Sequence, residues 1–296
     1  MQAPVQAHLV DGTYELFRYY YALPEHIAAD GMDVAAARGV VGTCLTLLEE
    51  GATHIGVATD HVIESFRNDL WAGYKDGSGI DPVLYAQFPL VEEALEAAGF
   101  RVWAMVDCEA DDALGAAAAQ LAEDPALDRV IICTPDKDMA QCVRDDGRVV
   151  QLDRRKGTLF DRDGVIEKFG VPPESIPDWL ALVGDAADGF PGLAGWGAKS
   201  AAAVLAHYGH IEAIPPMADD WEVGVRSAGR LAATLRAELE NALLFRRIAT
   251  LELDSITTTA ADIEWTGPTE DLVAMSARLD APGLLARAVK LAEARS

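Results

Sequence analysis

Cysteine is scarce: Cys44, Cys108, Cys133 and Cys142 stand far apart, with no C-x-x-C spacing. Such usage argues against a thiolate zinc site and a disulfide framework, and it fits a reducing cytoplasm. Long apolar runs are missing too. No stretch of about eighteen uncharged apolar residues occurs, so no membrane-spanning helix is expected. Met1 to Val10 shows no basic region followed by an apolar stretch, so no secretory signal is expected.

Basic residues are few. Lys plus Arg number 24 against 48 Asp plus Glu, a formal charge of −24. That balance opposes attraction to phosphates unless carboxylates gather around cations or the basic residues gather on one face. The plain alternative is an acidic enzyme with a solvated surface. Apolar residues are what the chain has in plenty: 50% of 296, ample for a buried core.

The first half alternates short apolar runs with helical patterns. Strands are expected at Ala7–Val10, His54–Ala58, Arg101–Val106 and Val130–Thr134, and helices at Val34–Glu50, Leu84–Ala98 and Asp112–Glu123. This is the pattern of a parallel sheet covered on both faces. A hairpin follows over Gly147–Phe160, turning at Arg154-Arg155-Lys156-Gly157. Pro172, Pro173 and Pro177 mark a boundary near residue 170. Beyond it the chain is helix-rich: Ile176–Val183, Lys199–Tyr208, Ser227–Leu251 and Asp271–Ala294, the last broken at Pro282-Gly283, with Thr257–Thr266 extended.

Acidic residues recur where strands end. Asp11, Asp60, the group Glu109, Asp111 and Asp112, and the pair Asp136 and Asp138 all fall at such ends, where open parallel sheets form their ligand sites. Asp185 and Asp188 add two more, three apart. Two carboxylates about 5 Å apart repel by roughly 3 kcal/mol at moderate dielectric, so gathering nine requires cations. All-oxygen donors select Mg2+ or Mn2+, and a pair of such ions is the usual machinery for attacking a phosphodiester. Taken singly, Asp111 and Asp112 equally suit the opening of a helix, and Asp136 and Asp138 a turn after Pro135. Repetition at successive strand ends favours the metal reading.

Gly192-Leu193-Ala194-Gly195-Trp196-Gly197-Ala198-Lys199-Ser200-Ala201 is a glycine turn opening into a helix. Free N–H groups and Lys199 suit a backbone phosphate there; an ordinary tight helix corner is the equal alternative. Arg226, Arg230, Arg236, Arg246 and Arg247 are candidates for a basic helical face, and Arg154-Arg155-Lys156 for a basic hairpin tip; a solvated helix and a plain turn are the competing readings.

Over residues 7–205 these blocks resemble, in order and spacing, the 5′→3′ exonuclease and flap endonuclease family, in the standalone bacterial type similar to the 5′-nuclease domain of DNA polymerase I. The blocks are Leu9-Val10-Asp11-Gly12, Asp60 through Ser65-Phe66-Arg67 to Tyr74-Lys75, Cys108-Glu109-Ala110-Asp111-Asp112, Thr134-Pro135-Asp136-Lys137-Asp138, Gly184-Asp185-Ala186-Ala187-Asp188 and the glycine block. The resemblance implies an α/β fold: a PIN-like parallel-sheet nuclease core with a helical arch (1–170), a helix–three-turn–helix DNA-binding region (171–260) and a C-terminal helical segment (261–296).

It also implies two divalent ions, Mg2+ or Mn2+. Asp11, Asp60, Glu109 and Asp111 would lie near the first. Asp136, Asp138, Asp185 and Asp188 would lie near the second, with Asp111 bridging and Asp112 a nearby, water-mediated ligand. Arg67 and Lys75 match basic arch residues that contact the scissile or 5′ phosphate, with Tyr74 beside them on the DNA. Gly192, Gly195, Gly197 and Lys199 match the turn that grips duplex phosphates, with a monovalent cation such as K+.

Two positions depart from the family pattern: Ser78 stands where many members carry an arch arginine, and Gly189 where asparagine is common. The activity implied is structure-specific hydrolysis near 5′ ends, flaps, nicks or gaps of DNA, in replication and repair, by a standalone cytoplasmic protein. The alternatives are a PIN-type ribonuclease, which the glycine block disfavours, and a catalytically weak DNA-structure-binding protein, which the complete carboxylate set disfavours.

Overall fold

The computed structural model describes residues 4–295. The chain forms two compact units, interleaved in sequence. The first comprises the described residues of 1–63, 77–134 and 252–296; the second comprises 64–76 and 135–251.

Four strands build the first unit: β1 (Gln6–Asp11), β2 (His54–Asp60), β3 (Arg101–Met105) and β4 (Arg129–Cys133). They lie parallel in the order β3-β2-β1-β4, with Leu9 opposite both Gly56 and Ile132. Parallel neighbours need long crossovers, and helices supply them: Gly12–Ala22 and Ala35–Glu49, then Gln87–Ala97, then Ala110–Leu121. All seven residues of β2 but Asp60 are buried, as a strand covered on both faces requires. Ala116, Ala117 and Ala118 are fully buried, so this alanine run is a close-packing surface.

The sequence gives no warning of the helix Gly12–Ala22, which starts the residue after β1 ends. A Cβ at Gly12 would stand 2.8 Å from Thr59 Cγ2 and 2.9 Å from Ala58 O, so only glycine lets this helix begin against β2. Residues 257–266, expected to be extended, include the helix Ala260–Ile263, closed by a Thr259–Asp262 capping box. The last helical stretch breaks one turn early. Helix Leu272–Arg278 stops, Asp280 takes a positive φ, and Pro282 opens helix Pro282–Arg295. Arg287 ties that helix to Glu49.

The second unit holds the hairpin β5 (Val149–Asp153) and β6 (Thr158–Phe160), antiparallel, turning where the sequence places the turn. Its helices are Arg162–Phe169, Ile176–Val183, Ala198–Tyr208, Ala228–Ala237 and Leu239–Ala249. They pack around Leu180, Phe190, Leu205 and Phe245. The single helix expected over 227–251 is two, parted at Glu238.

The segment that the resemblance implies as a helical arch carries two short helices. Helices Phe66–Leu70 and Pro82–Tyr85 flank residues 71–81, which carry no helix. Gly73, Gly77 and Gly79 lower helix propensity there, and burial of Tyr74 pins the chain to the core. No helix among the described residues is long and apolar enough to cross a membrane.

Candidate active site

In the first unit the carboxyl edge of the sheet is acidic. Asp11 ends β1 and caps the helix it precedes: Oδ1 accepts from Tyr14 N (2.8 Å) and Oδ2 from the Thr134 hydroxyl (2.9 Å). Asp60 ends β2, and its Oδ1 accepts from Ala110 N (2.7 Å), which places it at the start of helix Ala110–Leu121. Glu109 is the buried N-cap of that helix, and Asp111 is half-buried in its first turn. Asp11, Asp60, Glu109 and Asp111 therefore stand at one edge of one sheet, as their strand-end positions imply.

Asp112 has a structural tie besides the role the resemblance gives it. It is 0% exposed, and its two oxygens accept from backbone amides, Oδ2 from Glu109 N and Oδ1 from Glu252 N, both at 2.9 Å. It closes a capping box and pins the returning C-terminal segment.

The second unit gathers its own acids. Asp138, Asp185 and Asp188 each offer one oxygen within 4.8 Å of the others. Asp138 is 7% exposed, and its Oδ1 is buried with no hydrogen-bond partner. Asp136 is exposed and accepts from Asp138 N (3.0 Å). Burial, followed by repulsion from Asp136 and Asp188, holds the Asp138 carboxyl well above the ordinary range. Burial also pushes Asp188 up; Lys75 pulls it back, and Asp185 adds to the rise.

Two lysines answer this charge: Lys137 pairs with Asp185, and Lys75 Nζ lies 2.9 Å from Asp188 Oδ1. Burial opposes the charge on Lys137, but Asp138 and Asp185 outweigh it and raise its pKa. Lys137 is missing from the sequence-derived site, although its place between two acids in Asp136-Lys137-Asp138 marks it. The donors are all carboxylate oxygens, and one is buried without a hydrogen bond, with Lys137 Nζ 3.9 Å away. Such a set fits a hard divalent cation.

Arg67 is placed otherwise than expected. It is 3% exposed, and its guanidinium donates to backbone carbonyls, Nε to Ile248 O (2.7 Å) and Nη2 to Thr250 O (3.2 Å). It anchors helix Phe66–Leu70 to the end of helix Leu239–Ala249. Tyr74 is likewise buried, its ring in the core of the second unit and 5.6 Å from Lys75 Nζ.

The glycine block divides by role. Gly192 has φ +66°, and a Cβ there would overlap the Gly184 backbone, so it is a packing glycine. Gly195 (φ +87°) and Gly197 are exposed, and Gly197 caps helix Ala198–Tyr208, at whose first turn Lys199 stands exposed. Arg230 lies beside Gly195, its Nε 3.6 Å from where a Cβ would be. The five-arginine face is not continuous. Arg246 is bound to Asp178 and Glu212, Arg236 donates to Pro216 O, and Arg247 lies over the Phe66 ring.

The family model of the 5′-3′ exonuclease N-terminal resolvase-like domain matches residues 6–170, and that of the 5′-3′ exonuclease C-terminal SAM fold matches 171–271. A 5′-3′ exonuclease of Aquifex aeolicus is 33% identical over 210 residues, which cover 70% of this chain and 71% of that one. DNA polymerase I of Pseudomonas aeruginosa is 36% identical over 264 residues, 86% of this chain but 28% of the polymerase. The chain thus spans little more than a quarter of such relatives.

Among solved structures, T5 5′-exonuclease with bound zinc aligns with a TM-score of 0.67 at 18% identity, covering 96% of this chain and 99% of that one. The catalytic core of Rad2 in complex with DNA substrate aligns at 0.62 and 16%, covering 95% and 92%. The chain belongs to the 5′-3′ exonuclease family.

Proposed function

We propose that this chain is a structure-specific 5′→3′ exonuclease and flap endonuclease that cuts DNA near 5′ ends, flaps, nicks or gaps in replication and repair. The observation that carries the reading is the trio Asp138, Asp185 and Asp188, with a buried oxygen on Asp138 that has no hydrogen bond and Lys75 at its rim. Asp138, Asp185 and Asp188, with Asp136, would hold one divalent ion; Asp11, Asp60, Glu109 and Asp111 would hold another. Mg2+ or Mn2+ suits both sets, and such ions supply an activated water and neutralise charge on a phosphodiester.

The chain's own groups do the rest. Lys75 presents a half-buried ammonium that can meet the growing negative charge on the phosphate. Arg67 fixes the helix that leads to it. The exposed Gly195 and Gly197 let a duplex backbone approach the turn, where Lys199 and Arg230 bind its phosphates, with K+ as the monovalent ion at the turn. The four cysteines form no disulfide, which suits work on DNA in a reducing cytoplasm.

Purified protein incubated with a 5′-flap duplex, its nicked counterpart and an RNA version tests the reading. Cleavage of the DNA in Mg2+ and none in EDTA is expected. Cleavage confined to RNA, or Mg2+-dependent DNA binding with no cleavage, would overturn it.

A further inference from the structure

Two segments of the second unit meet at Phe245. One is the loop 184–190, which closes on itself: Asp185 N donates to Phe190 O (2.8 Å), and Phe190 N and Gly189 N donate to Asp185 O (3.0 and 2.9 Å). The other is the segment 66–76, which carries Lys75. They are joined by main-chain acceptors of the loop. Asp188 O takes Lys75 N (3.0 Å), and Gly189 O takes the Trp71 indole N–H (3.0 Å).

Rings back both bonds. Phe190 stacks on Phe245 with centroids 5.6 Å apart, and Trp71 meets the same ring edge-on at 5.1 Å. The approach is so close that a Cβ at Gly189 (φ +84°) would overlap Gly73 O. Asn68 Nδ2 donates to Lys75 O (2.9 Å), and Tyr74 N donates to Trp71 O (3.0 Å), so the lysine's backbone is held on both sides.

We propose that Trp71 is a positioning residue. Its N–H on Gly189 and its ring on Phe245 set the register between the lysine segment and the carboxylate loop. That register decides where Lys75 Nζ stands relative to the oxygens of Asp185 and Asp188. Trp71 offers no metal donor and acts only through these groups. Gly189 is part of the same clamp, because any side chain there lifts the segment off the loop. The proposal rests on the reading that Lys75 and Asp188 serve cleavage, but its test does not need cleavage.

Trp71→Phe keeps a ring on Phe245 and deletes the donor; Trp71→Ala deletes both; Gly189→Ala wedges the segment away. Mn2+ affinity is measured by titration calorimetry without DNA, and Lys75 acylation by mass spectrometry on the folded protein. Both are set beside kcat and KM on a 5′-flap. Loss of such an outer support typically costs about 10- to 100-fold, so Trp71→Phe is expected to weaken Mn2+ roughly 10-fold and lower kcat roughly 10-fold, with KM within about 2-fold. Lys75 acylation should rise, and the other two variants should move every readout the same way. A merely structural tryptophan would lower Tm and leave Mn2+ affinity and Lys75 acylation of the folded protein unchanged, and that result overturns the proposal. If Trp71→Ala does not fold, the milder Trp71→Phe decides. A wild-type protein inert on every DNA would sink the nuclease reading, while calorimetry and acylation would still judge the clamp.

Discussion

Lys75 touches Asp188 twice: its ammonium lies 2.9 Å from the carboxylate, and its backbone amide donates to the carbonyl of the same residue at 3.0 Å. The one group on this segment suited to a phosphate is thereby built onto a residue of the carboxylate trio. Lys75→Ala should lower kcat about 100- to 1,000-fold, the usual loss on removing a donor aimed at developing charge. Affinity for a 5′-flap in Ca2+ should stay within a few-fold. A large loss of affinity with kcat retained would make Lys75 a binding residue instead.

Arg67 is predicted to act on stability. Removing its guanidinium strands the carbonyls of Ile248 and Thr250 in a buried place. Arg67→Ala should cost roughly 2 to 4 kcal/mol in chemical denaturation, from lost hydrogen bonds and lost packing. The salt dependence of DNA binding by the folded variant should be unchanged. A shallower salt slope at full stability would restore Arg67 to the phosphate.

Much of this centre is legible in the sequence, and the part that is not has a common cause. Strand-end acids such as Asp11 and Asp60 declare themselves because an apolar run and the residue that closes it are adjacent. The hairpin turn at 154–157 is local in the same way. The main-chain ties of Arg67 and Asp112 are hidden because their partners, Ile248 and Glu252, lie 181 and 140 residues away. No periodicity announces a guanidinium or a carboxylate spent on a distant main chain. Gly189, an unexplained departure in the sequence, has its reason in the carbonyl of Gly73. The backbone of residues 71–81 is not legible either, because a motif fixes which residues are present, while glycines and the buried Tyr74 fix the path between them.

Stability without metal should fall as pH rises. Burial raises the folded-state pKa of Asp138 and Asp188 above the unfolded value, so the folded chain holds more protons than the unfolded chain between those values. The cost therefore begins near the ordinary carboxylate pKa and is complete above the raised one. Melting in EDTA should show Tm declining across that window. Mg2+ at matched ionic strength should restore more Tm at the upper end, since it binds the ionised carboxylates of the folded state. Asp138→Asn should flatten the decline. A decline equally steep in Asp138→Asn would place its origin elsewhere in this acidic chain.

Lys199 stands exposed in the first turn of helix Ala198–Tyr208, beside the Gly195–Gly197 turn. Its loss should weaken all DNA sequences alike and reduce the salt slope by about one unit. An unchanged slope in Lys199→Ala would return this turn to the role of a helix corner.

The central claim is that the carboxylate trio holds an ion needed for chemistry, and Asp138 is the residue on which it turns, with a buried oxygen that accepts no hydrogen bond. The direct measurement is single-turnover cleavage of a 5′-flap duplex by Asp138→Asn in Mg2+, beside its affinity for the same duplex in Ca2+. The account predicts cleavage lost by at least about 1,000-fold, with affinity within a few-fold of the unaltered protein. Near-normal Mg2+-dependent cleavage by Asp138→Asn would contradict it.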